Sequence, residues 1–219
     1  MTTLISNSGD TRGRRRVVPP RSARENVLRV TTRLARLHGL DKFSINDVSA
    51  QLGISKSLVY DRFQSRAELV SEVLVEYYSG LLRDANAATR ATPKGIRRLV
   101  RILDMWLSEY VLQEGGCLLL RGATECCSRA DELIRDTMRF AVDAWRRCLH
   151  EQLCDAAAGG EIPGSVDTRQ LEFEIYSFVL GIQHDCMFLG EPVSFRSAAF
   201  PGILRRHGII LPHDVALRT

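Results

Sequence analysis

The chain has 219 residues, 45% of them hydrophobic, and a formal charge of +4 from 30 Lys or Arg against 26 Asp or Glu. That length supports a real core, expected as two closely packed helical domains. No apolar run approaches the ~18–20 residues of a membrane span, and the polar start Met1–Asp10 lacks a signal-peptide core, so neither a membrane protein nor a secreted one is expected.

The charge is uneven. Residues 1–66 hold 13 Lys or Arg against 5 Asp or Glu, a net of +8, and the remainder carries −4. A basic N-terminal part on a mildly acidic body suits a DNA reader joined to a regulatory domain.

In chain order, residues 1–21 carry Arg12, Arg14, Arg15, Arg16 and Arg21 with Pro19-Pro20 and few apolar side chains. They read as a basic flexible arm able to follow phosphates or enter a minor groove. Ser22–His38 is the first expected helix. Its apolar stripe is Val27, Val30, Leu34 and Leu37, Arg29, Arg33 and Arg36 lie on the other face, and Gly39 stops it.

Two short helices follow. Ile45, Val48 and Leu52 form one stripe, with Ala50 small enough for a close helix crossing. Ser44 caps the first helix and Asp47 places a carboxylate in its first turn. Gly53 ends it, because a left-handed residue is wanted there. Ser55 caps the second, which turns Leu58 or Val59 and Phe63 inward and leaves Lys56, Ser57, Tyr60, Asp61 and Arg62 outward. This is helix-turn-helix spacing, whose second helix enters a DNA major groove.

Ser65 and Glu68 make a capping-box pattern that opens a long helix from Arg66 to about Ala88. A further helix runs from Pro93 to about Leu112, Gly115-Gly116 breaks it, and Cys117 to about Cys127 is a short apolar one. Ala130–Ala158 buries Ile134, Met138, Ala141, Trp145, Leu149 and Leu153. A Gly/Pro loop leads to Asp167–Leu189, and a last helix covers about Ser197–Arg206. The fold class is all-α, an N-terminal three-helix helix-turn-helix domain with a C-terminal helical ligand-binding and dimerisation domain. The expected division is arm 1–21, DNA-binding domain 22–70, regulatory body 71–207 and tail 208–219. Helices 130–158 and 167–189 are apolar on more than one side, which predicts a partner.

Residues 24–70 resemble the N-terminal domain of the tetracycline-repressor (TetR) family of bacterial transcriptional regulators. The likeness is carried by Ser44-Ile45-x-Asp47-Val48-x-Ala50, by Leu52-Gly53-Ile54-Ser55-Lys56 and by Leu58-Val59-Tyr60-x-x-Phe63-x-Ser65-Arg66-x-x-Leu69. Members often carry Gly or Pro at Ser57, Thr at Leu58 and Lys at Arg66, so the base preference is this chain's own. The resemblance implies a homodimer through helices 130–158 and 167–189, a palindromic operator on double-stranded DNA, and an unknown small-molecule effector bound among the C-terminal helices. Repression is the expected mode, in a bacterial cytoplasm and on the nucleoid when DNA-bound. Tyr60 matches the family's phosphate-contacting tyrosine and Arg66 its phosphate-binding lysine.

Among the remaining contacts, Lys56 and Arg62 suit base edges, Asn46 a base or phosphate, Ser44, Ser55 and Ser57 phosphates, and Leu58 a thymine methyl. Pocket candidates are Trp106, Tyr110, Trp145, Phe173, Tyr176 and Phe178, with Glu125, Arg121, His184 and Asp185 as polar contacts.

No GxGxxG, P-loop or GxSxG occurs, so no enzyme, cofactor or catalytic residue is expected. His150-Glu151-Gln152-Leu153-Cys154 only faintly resembles a zinc-protease HExxH. Of the six cysteines, Cys117, Cys148, Cys154 and Cys186 are scattered, Cys126-Cys127 are adjacent, and none makes a CxxC. They read as reduced, small core hydrophobes, with redox or metal sensing as the alternative. The rival function is a helical adaptor that uses its basic domain for protein contacts.

Overall fold

A computed structural model describes residues 23–126, 131–191, 199–211 and 217. The described residues form helices and no strand, so the chain is all-α: α1 Ala23–His38, α2 Ile45–Leu52, α3 Lys56–Tyr60, α4 Arg66–Thr89, α5 Ile96–Trp106, α6 Leu118–Glu125, α7 Glu132–Ala158, α8 Thr168–His184 and α9 Ala199–Arg206. The expected arm, Cys127 and most of the tail lie outside the described residues.

The local chemistry explains the short helices. Ser44 Oγ accepts from Asp47 N–H while the Asp47 carboxylate accepts from Ser44 N–H, a reciprocal cap. Gly53 closes α2 in the left-handed conformation, φ 64° and ψ 31°, and directs the chain into Ser55, whose hydroxyl caps α3. Val59 and Phe63 are fully buried and hold α3 down, while Leu58 is 39% exposed, which settles the open choice between Leu58 and Val59. Ala50 is exposed and Leu52 only half-buried, so the close crossing expected at Ala50 is absent. The buried small residue of α2 is Ser49, beside Val48.

α4 is the common spine, packing on α1 at one end and on α5 and α7 farther along. One continuous apolar core therefore runs from Val27 through Leu69 and Leu74 to Trp106 and Leu149. α5 begins later than Pro93 suggested, at Ile96, and its last turn widens to π geometry over Leu107–Val111. α8 likewise ends in a π turn, Asp185–Leu189. Such turns carry one extra residue per hydrogen-bonded ring, a feature that apolar periodicity does not reveal.

Candidate nucleic-acid interface

The α2–turn–α3 unit presents one polar surface. Asn46, Lys56 and Ser57 are exposed, Tyr60 is 49% exposed, and Lys56 opens the second helix. Ser44 and Ser55 are exposed too, but their hydroxyls already serve as caps, and Ser55 Oγ lies 2.9 Å from Ser57 Oγ. The Asp47 carboxyl is held below its ordinary range by the backbone hydrogen bond from Ser44. It remains an anion that keeps α2 started.

Two arginines sit differently from the expectation. Arg62 is half-buried, and its Nη1 donates to Leu58 O at 3.0 Å, so from the turn after α3 it folds back onto that helix. Arg66 is turned onto the α1–α2 loop. Its Nε donates to Phe43 O at 3.3 Å, its Nη2 to Leu40 O, and its guanidinium lies 5.0 Å from the Phe43 ring centroid. Two carbonyls and a ring face are a fork-shaped site that a guanidinium satisfies. Arg66 thus holds the loop that aims α2, instead of reaching freely outward. Lys42, exposed two residues before the Ser44 cap, is a cation that the sequence reading passed over. Its place beside the capping box was the only signal.

Beside the shared apolar core, a polar joint ties the end of α1 to α6. Arg121 on α6 donates Nη1 to Arg36 O at 2.8 Å and pairs with Glu125 at 2.8 Å. The Glu125 carboxylate accepts from Leu40 N–H at 2.6 Å, just beyond the end of α1. Arg36 Nε returns a bond to Gly116 O at 3.0 Å. At its other end α6 is tied to α8 and α4. Gln183 accepts from Cys117 N–H at 2.6 Å, and Tyr77 Oη accepts from Leu118 N–H. α6 therefore connects the end of α1 with α8.

The expected pocket residues lie in different parts of the fold. Glu125 belongs to the joint with α1. Tyr110 donates to Asp84 at 2.5 Å and packs edge-on against Tyr77, facing the α1 side of α4. Phe173 is 54% exposed on the outer side of α8. Trp106 and Trp145 are fully buried, 5.1 Å apart edge to face, with Tyr176 5.9 Å from Trp106. Burial pushes the Tyr176 phenol up to about 12, so it stays a neutral donor. Phe178 packs on Phe200, and His184 and Asp185 pair with each other at 3.0 Å. In the same body Trp145 Nε1 and Gln152 Oε1 are buried without a hydrogen-bond partner.

Nothing among the described residues groups three His, Cys, Asp or Glu for a metal. His150 Nε2 lies 3.1 Å from Thr168 Oγ1, and Cys154 is exposed. The packing role expected of the cysteines fits the buried Cys117 and Cys126 but not Cys154. No helix of the described residues is long and apolar enough to cross a membrane.

A family model described as bacterial regulatory proteins, tetR family, matches residues 27–73, and one described as tetracyclin repressor-like, C-terminal domain, matches 95–199. The HTH-type transcriptional regulator TtgR of Pseudomonas putida is 22% identical over 175 residues, covering 78% of this chain and 82% of that one. An HTH-type transcriptional regulator of Mycobacterium tuberculosis is 43% identical over 58 residues, 26% of this chain and 29% of its own. A transcriptional regulator from Saccharomonospora viridis, solved in complex with choline, superposes with a TM-score of 0.72 at 20% identity, covering 90% of this chain and 98% of that one.

Proposed function

The chain belongs to the tetracycline-repressor family, and on that footing we propose that it is a two-fold dimer that represses from a palindromic operator and is released by a small molecule. A DNA-binding transcriptional regulator, not an enzyme, is what its family and relatives are. The observation that carries the finer reading is the capped α2–turn–α3 unit with Lys56, Ser57 and Tyr60 on its open face. Lys56 is assigned to a base edge, Ser57 and Tyr60 to phosphates, and Asn46 to either. Arg66 contributes by holding the loop behind α2.

The dimer face is assigned to α7 and α8. Leu133 and Phe140 are seven residues apart on α7, Phe173 and Leu180 seven apart on α8, and all four are exposed in the protomer. Seven-residue spacing on two packed helices makes a seam that a second copy covers as a four-helix bundle.

The effector is assigned to the α5–α8 body, around Trp106, Trp145 and Tyr176. A buried indole N–H and a buried amide oxygen without partners are the groups a ligand would satisfy. Such a protein works in the cytoplasm, where the operator is.

The test is selection of genomic fragments by the purified protein at about 150 mM salt, which suppresses purely electrostatic binding. An enriched palindrome is expected. Lys56→Ala should cost about 1–3 kcal/mol on it and relax one position, whereas Tyr60→Phe should weaken all sequences alike. No enrichment by folded, ligand-free protein would refute the reading.

A further inference from the structure

A cleft of about 850 Å³ separates the flank of α1 from α4 and reaches the turn after α5. It is separate from the Trp106, Trp145 and Tyr176 cluster assigned to the effector, although the expected pocket residue Tyr110 lines it, and none of the assigned DNA contacts does. Five arginines and three glutamates do. The charges are not evenly neutralised. Glu76 is taken by Arg83 at 2.8 Å, and Arg24 is paired with Glu72. Arg29 and Arg33, one helical turn apart on α1, are exposed and make no hydrogen bond or ion pair among the described residues. Arg36, the next turn on, uses Nε on Gly116 O, while its Nη2 is buried with no partner. Three like charges at spacings of four and three repel one another, and a donor sealed from water without an acceptor is a standing cost.

The opposite wall is aromatic and notched. Tyr77 and Tyr110 meet edge to face with centroids 5.5 Å apart. Gly80 lies beside Tyr110, and a Cβ there would be 3.7 Å from both Arg83 Nη2 and Tyr110 Oη. The absent side chain opens room for a flat apolar group. A concave site with apolar walls and a few convergent charges is the usual form of a small-molecule site.

We infer that this cleft binds a small organic anion, with a carboxylate or phosphate head against Arg29, Arg33 and Arg36 and an apolar body against Tyr77 and Tyr110. A duplex backbone does not supply this ligand. Its phosphates lie on a wide convex surface, whereas Arg36 stands inside a recess between two packed helices.

The full-length protein is titrated by calorimetry with phenyl phosphate and with benzoate, and with benzyl alcohol as the uncharged control. The wild type should bind at least one acid probe saturably and not the alcohol, and the stronger acid identifies the head group. Arg29→Gln with Arg33→Gln should weaken that probe at least about tenfold, because charge-assisted bonds are lost. Gly80→Phe, which fills the notch and removes no charge, should do the same. Melting of each variant without probe confirms its fold, and if one is unfolded the other decides. Absence of binding by the wild type, or equal binding by a folded variant, overturns the inference. Loss of DNA affinity in the arginine variant with unchanged anion binding also overturns it and assigns those arginines to the phosphate backbone.

Discussion

Gly53 and Gly115 share a left-handed backbone, φ 64° and φ 81°, yet replacing each by Ala should have unequal consequences. At Gly53 an added Cβ meets nothing within 4 Å, so only the conformational penalty applies. That penalty is about 1–2 kcal/mol for an L-residue, partly offset by the stiffer unfolded chain. At Gly115 the Cβ would stand 2.5 Å from the Arg36 carbonyl oxygen, a main-chain atom. That same oxygen accepts from Arg121 at 2.8 Å. The collision cannot be relieved by a rotamer, so overpacking of about 1–3 kcal/mol adds to the conformational penalty. Gly53→Ala should cost about 1 kcal/mol and Gly115→Ala about 2–4 kcal/mol. For a chain of this size 1 kcal/mol moves the midpoint by roughly 2–4 °C. Thermal and urea melts at one fixed protein concentration read both, since association shifts Tm. Equal losses at the two sites would refute the claim that the loop before α6 is pressed against the end of α1.

Three further outcomes are expected. Arg66→Lys keeps the charge but cannot serve both loop carbonyls and the Phe43 face, so stability should fall by about 1–2 kcal/mol; a melt like wild type would return Arg66 to an outward role. Phe140→Arg should leave the protomer folded, because Phe140 is 59% exposed, but should dissociate the dimer in sedimentation. The lost burial of about 1.5–3 kcal/mol counts twice across a two-fold axis, and an unchanged dimer would move the interface elsewhere. Asp47 has a depressed carboxyl, so its contribution to stability is present above its ordinary value of 3.8 and is lost as pH falls through the lower folded value. In acid melts Asp47→Asn should flatten the stability profile below pH 3.8, and an unaltered profile would contradict the reciprocal cap.

The N-terminal reader was legible in sequence because its determinants are local. Ser44 with Asp47, Gly53, and Ser55 each act on backbone groups within three or four residues, so spacing alone locates the two short helices and their turn. Apolar periodicity found the long helices for the same reason, and on α7 it picked out the buried side from Ile134 to Leu153. What a side chain does with a distant partner was not legible. Arg66 lies in the position of a phosphate contact, but the carbonyls of Leu40 and Phe43 capture it across more than 20 residues. Glu125 reads as a pocket wall until the fold places it beside Leu40 N–H, and Tyr110, read the same way, lines the cleft beside α1 and not the cluster around Trp106. Phe173 reads as a pocket candidate, and only the packing of α8 leaves it 54% exposed. The arginines of α1 look like a solvated stripe in sequence. Tertiary structure alone sets them opposite the Gly80 notch, because a cleft belongs to two helices and neither encodes it by itself.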